Sequence, residues 1–292
     1  MRVPGLGELG VVELGERSIR KFVEHRMTTY AAALAYRGLF ALFPFTLLVV
    51  ALLGVLDLDA VFDRLTGQAD PGPLGPAVER GREQAQPLEP LVEKAQEQAG
   101  GGLLSFGVAV SLWSVYAAAR TLTEALDAAY EVTETRPGWK RFALSALLGP
   151  ALAVVVIAAT ALMLIGPQVI AWVAGWVGLD EVFVVVWTWL RLPVALLLLA
   201  LVLSVVYRFA PDVDEPYRLV TPGAVLATLA WVVVSIAFSF YLANFADYGA
   251  TYGSLGVAIG LLFYLYLSAS VVLLGAEANA AIYHRALKRE GA

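Results

Sequence analysis

The chain of 292 residues is 59% hydrophobic and only 15% charged, with a mean hydropathy of +0.73, whereas a soluble domain carries about 25% charged and about 45–50% apolar residues. Apolar surface beyond what one core can hold would face water and drive aggregation, so a soluble globular fold is excluded and lipid is the expected solvent. A net charge of -5 and a pI near 5.2 argue against a nucleic-acid partner, which calls for a basic face, and the lack of cysteine removes disulfide and thiolate chemistry.

Residues 1–29 are polar and mixed in charge and are expected to form a cytoplasmic N-terminal segment. The apolar run after them is longer than a signal-peptide core and is read as a retained helix. A helix needs about 20 apolar residues to cross a hydrocarbon layer about 30 Å thick. Six segments qualify: Tyr30–Leu56, Gly101–Ala119, Phe142–Ile165, Val182–Phe209, Val220–Ala243 and Tyr252–Tyr283. The expected fold is therefore all-α, a polytopic membrane protein with a six-helix domain over residues 30–283 and a short C-terminal tail, 284–292.

Between the first two helices, residues 57–100 form an acidic loop with a turn at Asp70-Pro71-Gly72-Pro73 and a helical stretch around Val78–Gln98. After the second, Thr121–Val132 has Leu122, Leu126 and Tyr130 on one helical face. That spacing suits an amphipathic helix along the membrane surface, or else a solvated connector. The third run stays uncharged to Leu179, with Gly166-Pro167 as a break. Beyond it, Trp172 and Trp176 suit an interfacial segment, the alternative being one long tilted helix.

Orientation follows from Lys and Arg. Of the 20, fourteen fall in the two tails and the second and fourth loops, four in the first loop, and two, Arg37 and Arg191, inside helices. The positive-inside rule then puts both termini in the cytoplasm and the 57–100 loop outside.

Three charges lie inside apolar segments, where each costs about 2.5–3.5 kcal/mol on insertion scales. Arg37 in the first helix and Glu277 in the sixth lie at similar depth near the cytoplasmic side, so the sequence suggests an ion pair. The alternative is that Arg37 snorkels to the interface and Glu277 sits at a helix end. Arg191 lies near the midplane with no acid at matching depth, and Asn244, Tyr248 and Tyr252 are its expected polar neighbours. An unpaired guanidinium suits an anion such as a phosphate or carboxylate headgroup; carbonyls freed near Pro193 are the other way to satisfy it. Pro44 is expected to kink the first helix. Gly256 and Gly260 form a GxxxG spacing, read as internal packing rather than dimerisation.

No enzymatic reading emerges. His25 and His284 fall in the tails without metal-ligand spacing, and no P-loop, nucleophile elbow or dinucleotide fingerprint occurs. The expectation is a non-enzyme with no cofactor, no metal and no catalytic residue.

Several strings carry a resemblance. Ala33-Leu34-Ala35-Tyr36 leading to Leu42-Phe43-Pro44, Tyr207-Arg208-Phe209-Ala210-Pro211, Tyr241 to Asn244 with Tyr252-Gly253-Ser254-Leu255-Gly256, and Leu274-Gly275-Ala276-Glu277-Ala278-Asn279-Ala280 resemble the YihY/BrkB family of bacterial inner-membrane proteins. The match runs over about residues 17–285. Arg37 departs from the pattern, in which an uncharged residue often follows the tyrosine. The resemblance implies a six-helix inner-membrane protein tied to envelope integrity. Members once carried the label ribonuclease BN, for which this sequence offers neither a metal site nor a basic groove.

The expected function is a transporter or flippase-like protein for an anionic lipid or lipid-linked envelope component. Arg191 would touch the headgroup, Glu277 would act as an ion- or proton-coupled gate, and Pro44 and Pro193 would open a lateral path. The expected partners are membrane lipids, a second copy of the chain or an envelope protein. The rival reading is a non-transporting scaffold that recruits envelope machinery through its external loop and cytoplasmic segments; a channel would call for rings of charge that the sequence lacks.

Overall fold

The structure is a computed structural model that describes residues 11–55, 101–149, 181–213, 219–245 and 248–290; within it, the backbone alone is described for 11–12, 42–55, 101–108, 111–112, 181–188, 191, 244–245, 248–255, 257 and 289–290. Every regular element among these residues is an α-helix: α1 (Val11–Glu24), α2 (Met27–Val55), α3 (Gly101–Ala129), α4 (138–149), α5 (Glu181–Phe209), α6 (Pro222–Phe245) and α7 (Tyr248–Glu290). The chain divides into two compact units. The first comprises Met1–Phe40, Ser114–Leu152 and Leu197–Ala292, the second Ala41–Trp113 and Ala153–Leu196. All side-chain networks below belong to the first unit. The described part of the second is helical backbone with outward aromatics such as Trp113 and Trp189.

The helices of the first unit stop for identifiable reasons. Arg26 takes a left-handed backbone, φ 53°, and turns the chain from α1 into α2. Glu131, φ 54°, does the same after α3, where the Glu131 N–H bonds to the Ala128 carbonyl and the Val132 N–H to that of Asp127. That pair of bonds is the Schellman arrangement, which usually employs glycine at the left-handed position. At the start of α6, Thr221 caps with its hydroxyl on the Ala224 N–H and Pro222 occupies the first helical position, where its missing N–H is not needed.

Among the described residues, three apolar stretches are long enough to cross a membrane: Leu192–Phe209, Pro222–Ala243 and Ala258–Lys288. On α6, Leu229, Val233, Ile236 and Phe240 form an outward stripe, each about 60–70% exposed, a face that water would not tolerate but acyl chains would. The inner faces meet in a core around Met27, Leu126, Tyr130, Val206, Tyr207 and Leu273.

Four expectations need correction. Residues 121–132 do not form a separate surface helix, because no Gly or Pro interrupts the turn after Ala119 and α3 continues to Ala129. Its face is covered: Leu126 and Tyr130 are fully buried and Leu122 packs against them. Tyr248, which falls between the expected fifth and sixth helices, lies within α7, which starts before the expected Tyr252 and runs through the expected tail to Glu290. Gly260 meets open space rather than a packed neighbour. The close approach occurs instead between Gly223 and Gly275, where a Cβ on Gly275 would stand 2.6 Å from the Gly223 carbonyl. The expectations for residues 57–100 and for Gly166-Pro167, Trp172 and Trp176 lie outside the described residues.

Candidate functional site

The Leu274–Ala280 string in α7 puts Gly275 and Asn279 one turn apart on one face and Glu277 on another. Toward α6, the absent side chain of Gly275 lets the backbones touch, and Asn279 completes the cap: its Oδ1 accepts from the Gly223 N–H at 2.8 Å and its Nδ2 donates to Thr221 Oγ1 at 2.9 Å. Ser204 accepts from the Thr221 N–H at 3.0 Å, and Tyr207 donates to the Val272 carbonyl at 2.6 Å, joining α5 to the same knot. These residues are structural.

Glu277 points elsewhere. Its side chain is 1% exposed and its Oε1 lies 2.8 Å from His25 Nδ1. His25 sits in the two-residue turn before α2, with its other ring nitrogen 3.4 Å from Glu131. Glu131 accepts from Lys21 at 2.9 Å. The Lys21 ammonium lowers the Glu131 carboxyl below its ordinary range, and the carboxylate in turn raises Lys21. Two left-handed turns thus aim His25 and Glu131 at one another, and the imidazole stands between two carboxylates from distant parts of the chain.

The expected pairing of Arg37 with Glu277 is corrected by this geometry. The Arg37 guanidinium donates to the Ala117 carbonyl at 2.8 Å, an oxygen that also accepts from Thr121. Depth along two helices was matched, but the turn at Arg26 brings His25 to Glu277 first. His25 was legible only as a tail residue; the signal for it was that a buried acid needs a donor and that a polar residue precedes the first long helix.

Around the pair is an open cavity of about 760 Å³ between α1 and the last turns of α7. Both histidines of the chain line it, together with Arg17, Arg20, Lys21, Arg285 and Lys288 against three carboxylates, Glu13, Glu131 and Glu277. No group of His, Asp and Glu among the described residues is arranged to hold a metal. Of the other sequence candidates, the backbone places Arg191 in α5, Asn244 in α6, and Tyr248 and Tyr252 in α7, while their side chains lie outside the described set. Pro44 falls within α2 and Pro193 within α5.

A second network ties two loops. Arg136 donates to Asp212 Oδ1 at 3.1 Å, to the Ala210 carbonyl at 3.1 Å and to the Pro211 carbonyl. Asp212 also accepts from the Thr135 N–H at 2.8 Å and from its hydroxyl, and these donors hold its carboxyl below the ordinary range. The Asp212 N–H in turn donates to Asp127 at 3.0 Å. The Tyr207–Pro211 string is therefore the receptor for an arginine clamp.

Apolar helices of spanning length with large outward apolar faces define an α-helical membrane protein. The chain belongs to the BrkB family: the family model described as "Virulence factor BrkB" matches residues 18–292. A relative named "Putative ribonuclease-like protein YfkH", from Bacillus subtilis (strain 168), is 34% identical over 268 residues, covering 91% of this chain and 93% of the relative. A "UPF0761 membrane protein" of Stenotrophomonas maltophilia (strain R551-3) is 28% identical over 279 residues, 93% of this chain but 61% of its own length. "UPF0761 membrane protein XAC0937" of Xanthomonas axonopodis pv. citri is 27% identical, with 60% of its length covered. The chain thus spans about three fifths of these longer relatives. No solved structure matches it.

Proposed function

We propose that this protein is a transporter or flippase-like protein of the bacterial inner membrane, moving an anionic lipid or lipid-linked envelope component, with six spans and both termini cytoplasmic. The observation that carries the reading is the headgroup-sized cavity with charged groups in its wall, among them Glu277, a buried carboxylate on the spanning helix α7. Intramembrane acids are expensive and cluster along substrate or ion paths, and cavities of this volume suit small ligands. Packing of α1 against the end of α7 supports termini on one face, hence an even number of crossings, and the distribution of Lys and Arg supports the cytoplasm as that face. In this reading Glu277 with His25 forms the gate. No chemical conversion of the lipid is involved.

The test is flux. Proteoliposomes holding the full chain and a fluorescent anionic lipid should translocate it faster than empty liposomes, and Glu277→Gln should slow it. Wild-type protein with no flux above empty liposomes, under a proton or sodium gradient of either sign, overturns the reading.

A further inference from the structure

The cavity between α1 and α7 carries more positive charge than its fold uses. Each of its carboxylates is answered internally: Glu13 by Arg17 at 3.7 Å, Glu131 by Lys21 at 2.9 Å and Glu277 by His25 at 2.8 Å. Arg20, Arg285 and Lys288 line the same space and form no ion pair among the described residues. Arg17 and Arg20 on α1, like Arg285 and Lys288 on α7, are three positions apart, so each helix sets two cationic heads on one face. The carboxylates that stand among them are already taken by Arg17, Lys21 and His25. Arg20, Arg285 and Lys288 are thus cations in excess of the carboxylates around one concavity, a field that favours an anion there.

The volume, about 760 Å³, exceeds what an inorganic anion fills and suits an anion with an organic body. Ala129, Ala280, Ala281 and Leu287 supply apolar wall for that body. Guanidinium forks match the tetrahedral oxygens of a phosphate bidentately, and a lysine adds a point charge.

We infer that this cavity binds a phosphate-bearing anion, with Arg20, Arg285 and Lys288 as the contacts to its oxygens. The inference rests on the cavity being the ligand site of the proposed function, but it does not require that the ligand be moved.

The experiment uses the full chain in neutral detergent, with binding read by native mass spectrometry and by thermal shift. The probes are dioleoyl phosphatidic acid, inorganic phosphate, and oleate as an anion without phosphate. Phosphatidic acid or inorganic phosphate should bind, and the Arg20→Gln/Arg285→Gln/Lys288→Gln variant should bind at least tenfold more weakly. Lys140→Gln, an exposed cation away from the cavity, should bind like wild type. The single variants Arg20→Gln and Arg285→Gln carry the comparison if the triple variant expresses poorly. Binding of the lipid alone assigns the site to a headgroup, and binding of free phosphate assigns it to a soluble ligand; both support the inference. It is overturned if neither phosphate compound binds, if oleate binds as tightly as phosphatidic acid, or if the cavity variants bind like wild type. Binding without flux would leave this inference standing and remove the transport reading; flux without binding would do the reverse.

Discussion

His25 and Glu277 are 252 positions apart in the chain and 2.8 Å apart in space, the carboxylate oxygen against imidazole Nδ1. A carboxylate with 1% exposure has exchanged water for this one ring nitrogen, so the N-terminal turn is joined to the last helix by a group that neither can easily release.

Removing one partner should therefore be worse than removing both. His25→Ala strands a buried acid, a loss on the order of 3–5 kcal/mol for a buried pair. His25→Ala/Glu277→Ala should regain part of it, with a coupling of about 1–3 kcal/mol. Thermal midpoints of the four proteins in detergent measure this; additive losses would show that the pair is not coupled.

Gly223→Ala should destabilise the contact between α6 and α7. A Cβ there collides with the Gly275 carbonyl and with Asn279, 2.6 Å away, and these are backbone and a bonded amide rather than a flexible side-chain tip. The expected loss is about 1–3 kcal/mol or more, seen as a lowered midpoint. Gly260→Ala, which meets open space, is the matched control and should cost little.

Arg136→Lys should not be a conservative change. The guanidinium serves Asp212 and two carbonyls at once, a set that one ammonium cannot reach in the same geometry. Leaving these acceptors unmet should cost about 1–3 kcal/mol. Limited proteolysis of the 133–137 and 210–213 loops reports it, and cleavage at the wild-type rate would contradict it.

Asp127 lies beyond the apolar part of α3, and burial raises its carboxyl from 3.8 to about 6, against the opposing hydrogen bond from the Asp212 N–H. A raised folded-state value means the native protein holds a proton that the unfolded chain has released. The stabilising contribution is thus complete below about pH 4, declines as pH rises to about 6, and is absent above that. Asp127→Asn keeps the acceptor without the charge. It should be more stable than wild type by on the order of 2 kcal/mol at pH 7.5 and nearly equal at pH 4. An advantage of equal size at both pH values would contradict the assignment.

The lack of native cysteine makes topology directly testable. Glu16→Cys and Leu287→Cys, both at exposed positions, should react with an impermeant maleimide only after the inner membrane is opened. Labelling of either in intact spheroplasts would contradict cytoplasmic termini.

Much of the fold was legible because lipid imposes a simple rule, under which long apolar stretches become helices that satisfy their own backbone. Helices occur where Tyr30–Leu56, Gly101–Ala119, Val182–Phe209, Val220–Ala243 and Tyr252–Tyr283 were expected. Composition likewise decided the solvent, and the strings around Tyr207 and Glu277 decided the family. What the sequence left open is which polar groups meet. Depth along a helix assigned Arg37 to Glu277, but hydrogen bonding acts over about 3 Å and depends on rotation about the helix axis and on the turns between helices. The left-handed residues Arg26 and Glu131 set those turns, and neither carries the glycine that would have announced one. Tertiary structure alone therefore decided that His25 answers Glu277 and that cations from two remote helices share one cavity, because long-range pairing depends on how the chain folds back on itself and no local pattern records it.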